Sequence, residues 1–140
     1  MDAWPESDGE AIHTSTFLGH PGGCAMALAS LKKHSNPEMA LDVSIKGAHF
    51  KELLENIDTA NRGSVRGMGL MLGLEIIDHD GKPNGSLASK VIPSALRSGL
   101  ITLADGPSGH VIVFAPPFTI SEEEMFFAAE WLKTELKTSS

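Results

Sequence analysis

The sequence contains a single cysteine, Cys24, among its 140 residues. One cysteine cannot form a disulfide within the chain, so the sequence suits a reducing compartment, and we expect the cytoplasm. No apolar segment approaches the roughly 20 residues that a membrane-spanning helix needs. Residues 1–10 show no signal-peptide pattern. We therefore expect no membrane partner.

Basic residues are also few. Eleven Lys and Arg stand against 18 Asp and Glu, which gives a formal net charge of -7 at pH 7. Non-specific binding to nucleic acid needs clustered Lys and Arg that neutralise phosphates, and no basic stripe is present. We therefore expect no nucleic-acid partner.

Candidate metal ligands are too sparse to define a site. His13, His20 and Cys24 lie seven and four residues apart, but no fourth ligand accompanies them. The segment 78–85, DHDGKPNG, resembles a calcium-binding loop only superficially, because its fifth position is Lys82 and no glutamate follows at the twelfth. No metal site is predicted.

The most informative segment is 13–31, HTSTFLGHPGGCAMALASL. Three hydroxyl residues, Thr14 to Thr16, precede Gly19, and Pro21 stands where a first helical turn favours proline. Small apolar residues then predict a helix that can pack closely on several sides. Hydroxyl groups and free backbone N–H groups ahead of a helix suit an anion such as phosphate. The same pattern is also typical of ordinary helix caps.

Later segments predict alternating helices and short strands. A second helix is expected from Pro37 to about Ile57, in which Gly47 marks a close approach to a neighbour. The glycine-rich segment 65–78 predicts a bent strand or hairpin, because its apolar residues alternate and its G-x-G-x-x-x-G spacing is not a dinucleotide fingerprint. Next come a helix at 86–98, which Pro93 must start, kink or break, and short strands at 100–103 and 111–114.

The last helix has the clearest signals. Ser121 and Glu124 form a predicted capping box at its start. An apolar stripe follows at helical spacing, and large aromatic residues are predicted to widen it. The stripe residues are Met125, Ala129, Leu132 and Leu136, and the flanking aromatics are Phe126, Phe127 and Trp131. Helices and short strands in this order predict an α/β layered domain.

Three segments, in this order, resemble motifs of class III pyridoxal-phosphate (PLP) aminotransferases. They are TSTFLGHP at 14–21, VRGMGLMLGLE at 65–75 and SGHVIVFAPPFTISEEEM at 108–125. The resemblance extends over about residues 10–136. It implies the small C-terminal domain of a fold-type I PLP enzyme, of α/β (α+β) class, with a short, mostly antiparallel sheet and helices packed on it.

The resemblance also implies a domain organisation and an activity. Residues 1–20 would link from a large cofactor domain and carry the phosphate-contact loop, and residues 21–140 would form the small domain. The full enzyme would use PLP to transfer an amino group between an amine or amino acid and a keto acid. It would act as a homodimer. We expect the helix that follows Pro21 to be the surface that the chain exposes without its large domain and partner subunit.

Cofactor-binding residues are carried over by the resemblance at two positions. Thr16 corresponds to the threonine whose hydroxyl reaches the phosphate of the partner subunit's cofactor, and Ser15 is a weaker second candidate. A simple turn-stabilising role for Thr16 stays open. No lysine of this chain stands in the context of the family's Schiff-base lysine. We therefore predict no catalytic residue here and no activity from this chain alone.

One position departs from the family pattern. Amino-acid-specific members often carry an arginine where this sequence has Val113, and that arginine pairs with the substrate carboxylate. Arg66 and Arg97 do not match the motif and are interpreted as structural or surface residues. Two other functions stay open: a PLP-dependent racemase or aminomutase of the same fold, and a binding module without cofactor.

Overall fold

The computed structural model describes residues 16–138. The chain divides into two compact units, residues 1–39 and 40–140. The first contains helix α1, Pro21–His34, and the start of helix α2, Pro37–Glu55. The second contains the rest of α2, helices α3 (Gly85–Arg97) and α4 (Glu122–Thr138), and every strand of the described residues. No helix within 16–138 combines the length and apolar character needed to span a membrane.

Both helices predicted in the first unit begin as expected. Pro21 opens α1, and none of the residues of α1 is buried. Asn36 caps the next helix, because the backbone N–H of Glu38 donates to its Oδ1 at 3.0 Å. The helix bounds predicted near Pro37 are therefore confirmed.

The second unit is built on a four-stranded antiparallel sheet in the order β1-β2-β4-β3. Its strands are β1 Arg62–Met68, β2 Met71–Ile76, β3 Leu103–Asp105 and β4 Val111–Phe114. Strands β1 and β2 form a hairpin in which Met68 pairs with Met71. The hairpin predicted from the glycine-rich segment and the predicted antiparallel sheet are both confirmed.

Alternation along the strands places one side of the sheet in the core. Leu72, Leu74 and Ile76 of β2 are buried, as are Ile112 and Phe114 of β4. Helices α2, α3 and α4 contribute further buried side chains to this core, among them Phe50, Leu54, Val91, Met125 and Leu132. The rings of Phe50 and Phe114 meet edge to face, with centroids 5.4 Å apart.

Helix α4 confirms most of its predicted pattern. Ser121 Oγ accepts from the N–H of Glu124 at 3.2 Å, and Glu124 Oε2 accepts from the N–H of Ser121 at 2.8 Å, which forms the capping box. The four predicted stripe residues are buried. The widening of that stripe by Phe126 and Phe127 was wrong, since these side chains are 56% and 49% exposed.

A glycine in α2 allows the helix to lie against the β1–β2 turn. A Cβ atom built on Gly47 would lie 2.2 Å from the carbonyl oxygen of Gly69. Gly69 itself has a φ of 53°, in the region that favours glycine. The close approach predicted at Gly47 is therefore confirmed.

Pro93 lies inside α3, which neither begins nor ends there. Of the three predicted effects of Pro93, a start or a break of the helix is therefore wrong, and a kink stays a prediction. A second segment differs from the sequence prediction. Strand β3 starts at Leu103, later than predicted, because the residues before it complete the end of α3. Gly99 has a φ of 84°, and the N–H of Leu100 donates to the carbonyl oxygen of Ala95.

Candidate functional site

Thr16 lies in a turn at residues 16–19, directly before α1, and is exposed. Its hydroxyl makes no hydrogen bond to another described residue. Ser15, the second predicted contact, lies outside the described residues. The turn therefore presents one hydroxyl that is not engaged within the described part of the chain.

The N-terminus of α1 is capped without using that hydroxyl. His20 is the N-cap, and its Nδ1 accepts from the N–H of Gly23 at 3.2 Å. The N–H of His20 donates to the carbonyl of Phe17 at 3.0 Å, and Gly19 between them has a φ of 73°. The interpretation of the hydroxyl residues as ordinary helix caps therefore does not apply to Thr16.

Electrostatics at this helix end favour an anion. The first turn of α1 contains no acidic residue, and Lys32, Lys33 and His34 lie in its last turn. The positive end of a helix dipole attracts negative charge. A neutral hydroxyl beside such an end can donate a hydrogen bond to an anionic group.

Eight lysines lie within residues 16–138. All are exposed or half-buried. Several pair with carboxylates on their own helix or loop, as Lys46 does with Asp42 at 2.9 Å and Lys133 with Glu130 at 2.9 Å. The lysines concerned are Lys32, Lys33, Lys46, Lys51, Lys82, Lys90, Lys133 and Lys137.

A second region of interest is the face of the sheet opposite the helices, which we call the open face. Val113 of β4 lies on it, half-buried, between its register partners Gly73 of β2 and Leu103 of β3. Apolar side chains at its margin are exposed, with Met68 at 88%. The position at which the family's amino-acid-specific members often have an arginine thus holds a short apolar side chain here.

Arg66 lies in the same cross-strand row as Val113, with Gly73 between them. Its Nη1 contacts Glu75 Oε1 in an ion pair. Ser64 Oγ donates to Glu75 Oε2 at 2.7 Å. The Ser64 hydroxyl and the Arg66 guanidinium lower the pKa of Glu75 below its ordinary value. Arg97, by contrast, is exposed in the last turn of α3.

His110 borders this polar cluster and is buried. Its Nε2 lies 3.9 Å from Glu75 Oε1. Its Nδ1 has no hydrogen-bond partner among the described residues. Sequence reasoning could not connect His110 with Glu75, because the two residues are 35 positions apart and meet through the pairing of β2 with β4.

Comparison with known proteins identifies the family. The model of the aminotransferase class-III family matches residues 1–136. The chain is 38% identical over 122 residues to a mitochondrial acetylornithine aminotransferase of Alnus glutinosa, covering 86% of this chain and 25% of that enzyme. This chain belongs to the class-III aminotransferases.

Solved structures agree with that assignment. An aminotransferase of Bacillus anthracis superposes with a TM-score of 0.80 and 28% identity, covering 95% of this chain and 32% of that one. The PMP-bound form of an aminotransferase from Vibrio fluvialis gives a TM-score of 0.74 and 31% identity, covering 93% and 29%. The mixed α/β fold is therefore that of a part of a fold-type I aminotransferase, and the predicted family and fold class are confirmed.

The matched relatives are much longer than this chain. It spans about a quarter of the Alnus enzyme and just under a third of the Bacillus anthracis structure. The cofactor that the family implies is PLP.

Proposed function

We propose that this chain is the C-terminal portion of a PLP-dependent aminotransferase that transfers an amino group between an amine or amino acid and a keto acid. Bound PLP supplies the electron sink for such a transfer. The chain's own contribution is the turn at residues 16–19, with residues 1–20 as the link to a cofactor domain. The single observation that carries this proposal is the family match over residues 1–136.

Thr16 is the proposed phosphate contact, with Ser15 as a second one. The exposed turn supports the role, as does the N-cap at His20, which does not use the Thr16 hydroxyl. Within residues 16–138 that hydroxyl has no hydrogen-bond partner. In a homodimer this hydroxyl would reach the phosphate bound to the partner subunit. We also propose that the protein resides in a reducing compartment, because its single cysteine, Cys24, is free.

The Schiff-base lysine is proposed to lie outside these 140 residues. The isolated chain mixed with PLP should then form no aldimine that absorbs visible light, and it should not turn over an amino donor. Reading the genomic sequence before Met1 is the companion test. A lysine-bearing domain in frame supports the proposal, whereas an in-frame stop codon directly before Met1, or turnover by the isolated chain, contradicts it.

The Thr16 contact is tested in the polypeptide that carries the lysine. Thr16→Val should weaken PLP binding by about tenfold or more, because a hydrogen bond to a charged group contributes roughly 1.5–3 kcal/mol. Thr119→Val is the matched control, since Thr119 is also exposed and lies in the second unit. Equal PLP affinity in Thr16→Val and wild type would assign Thr16 a turn-stabilising role only.

Val113 bears on the amino donor. An apolar side chain cannot form the bidentate pair that arginine makes with a carboxylate. We therefore propose that the donor is not recognised through a carboxylate at this position. Primary amines should then serve as donors, and Val113→Arg should shift the preference toward amino acids. The same assay separates transfer from racemisation, because only transfer consumes the keto acid.

A further inference from the structure

The dipeptide Asn84–Gly85, at the start of α3, is a reactive sequence that the proposed function does not use. Asparagine amides are thermolabile, because the backbone nitrogen of the next residue can attack the side-chain Cγ. A following glycine has no Cβ to hinder that attack. Of the four asparagines in the sequence, only Asn84 precedes a glycine. The other three, Asn36, Asn56 and Asn61, precede proline, isoleucine and arginine.

Deamidation at this dipeptide needs no reactant other than water. The Gly85 nitrogen forms a bond with Asn84 Cγ and loses its proton, the Cγ–Nδ2 bond breaks, and Nδ2 leaves as ammonia. Water then opens the resulting five-membered imide at either of its two carbonyl carbons. One opening leaves aspartate at position 84. The other leaves isoaspartate, in which the main chain runs through Cβ and Cγ.

The native backbone of Asn84 holds the two reacting atoms apart. Its ψ is 77°, which places Cβ and the Gly85 nitrogen on opposite sides of the Cα–C bond. Ring closure requires these two atoms on the same side of that bond. Rotation about ψ must therefore precede the reaction, and it takes Asn84 out of its N-cap conformation.

Three hydrogen bonds hold the N-cap conformation. Asn84 Oδ1 accepts from the N–H of Leu87 at 3.0 Å, and the main-chain carbonyl of Asn84 accepts from the N–H of Ala88 at 3.2 Å. The N–H of Asn84 donates to the carbonyl of Ile76, at the end of β2, at 2.9 Å. Leu87 and Ala88 are also buried. Rotation about ψ of Asn84 therefore opens the first turn of α3.

Packing at Gly85 also resists the rotation. A Cβ atom on Gly85 would overlap the carbonyl oxygen of Ser108, so the backbone of Gly85 lies directly against the loop between β3 and β4. The N–H of Gly85 donates to no residue within 16–138. The attacking nitrogen is therefore unengaged in the described chain, and the closed turn alone keeps it from Cγ.

We propose that Asn84–Gly85 is a deamidation site whose rate is set by opening of the first turn of α3. The folded chain reacts slowly, because only its open fraction can form the imide. Aspartate at position 84 restores the cap, since it caps a helix as well as asparagine does and the helix dipole favours its charge. Isoaspartate lengthens the main chain and removes the cap. The site does not depend on the proposed function.

The test follows the mass of the peptide that contains Asn84 while the 140-residue chain stands in mildly alkaline buffer, with and without urea. Conversion of the amide to an acid gives a characteristic mass gain, and chromatography separates the aspartate and isoaspartate products. In urea we expect this gain at Asn84 and not at Asn56 or Asn61. Without urea the gain should be slower by at least about tenfold, because the closed turn does not react.

Glycine substitutions locate the opening. Ala88→Gly weakens the start of α3 and should accelerate the reaction of the folded chain about fivefold. Ser89→Gly, at an exposed position of α3, should accelerate it about twofold, which covers the case in which Ala88→Gly fails to fold. Ala48→Gly, exposed in α2, is the matched control and should leave the rate unchanged. In urea all three variants should react at the wild-type rate.

Two further variants test the chemistry and the product. Asn84→Ser keeps a helix cap and should abolish the mass gain. Asn84→Asp reproduces one product and should unfold at the same urea concentration as the wild type.

The results that overturn the proposal are distinct. In urea, a mass gain at Asn56 or Asn61 as fast as that at Asn84 overturns the modification site. Equal rates in the folded and unfolded chains overturn the control by the fold. Acceleration by Ala48→Gly as large as that by Ala88→Gly overturns the assignment of the opening to α3.

Discussion

Replacement of Gly47 by alanine tests the packing of α2 on the sheet hairpin. In an unhindered helix the change stabilises by up to about 1 kcal/mol, because glycine is the poorer helix former. Here the new Cβ would lie 2.2 Å from the Gly69 oxygen and 2.6 Å from its Cα. These are backbone atoms that cannot rotate away, so either the helix or the turn must move.

Overpacking of this kind costs roughly 1–3 kcal/mol, and the backbone contact places Gly47→Ala at the upper end. Subtracting the gain in helix propensity leaves a net loss of about 2 kcal/mol in the free energy of unfolding. For a unit of this size the melting temperature should fall by roughly 8 °C. Urea unfolding followed by circular dichroism at 222 nm measures the loss.

Ser44→Ala is the matched control, because Ser44 is exposed and lies three residues earlier in the same helix. It should change stability by no more than about 0.5 kcal/mol. The reasoning is refuted if Gly47→Ala is as stable as the wild type or more stable. In that case the contact between α2 and the β1–β2 turn would not exist in solution.

Three further predictions concern Glu75, Ser121 and Leu74. Ser64 and Arg66 lower the pKa of Glu75. The ionised Glu75 therefore stabilises the fold above the ordinary glutamate pKa, and this contribution is lost as the pH falls through the lowered pKa. In an acid titration, the unfolding free energy of Glu75→Gln should decline less below about pH 4.5 than that of the wild type. Ser121→Ala removes the side-chain oxygen that caps α4 and should cost about 1 kcal/mol in urea unfolding. Leu74 is 0% exposed, so Leu74→Ala should cost about 3 kcal/mol in the same assay.

Each of these has its own control. Glu52→Gln, at an exposed position of α2, should leave the acid decline as it is in the wild type; an identical decline in Glu75→Gln would contradict the ion-pair argument. Ser121→Thr should recover most of the capping energy, and a loss as large as that of alanine would argue against the cap. Leu41→Ala removes a side chain that is 62% exposed, so a cost equal to that of Leu74→Ala would contradict the assignment of the core.

Local signals in the sequence predicted the elements whose determinants lie within a few residues. The capping box at Ser121 and Glu124 is a short-range hydrogen-bond pattern, and it is present. The strand alternation in 70–76 likewise fixed which residues enter the core. Gly47 was recognisable because glycine in the middle of a helix is costly without a reason.

Longer-range features could not be predicted in this way. The start of β3 depends on the end of α3, where Leu100 donates to Ala95 and delays the strand. The contact between Glu75 and His110 depends on the register of β2 with β4. The position of Arg66 and Asp105 on opposite edges of one sheet depends on the strand order. No local pattern contains that order.

The exposed aromatic residues of α4 show the physical limit of periodicity as a predictor. A stripe of apolar residues indicates that a helix face can be buried, but it does not identify the surface that covers this face. Met125 and Leu132 are part of the core of this unit, whereas Phe126 and Phe127 are exposed. The same holds for Met68 on the open face and for Met26 and Leu31 on α1, which are all exposed. In a chain that spans only about a quarter of its curated relatives, apolar spacing therefore predicts the position of an element more securely than the burial of each residue in it.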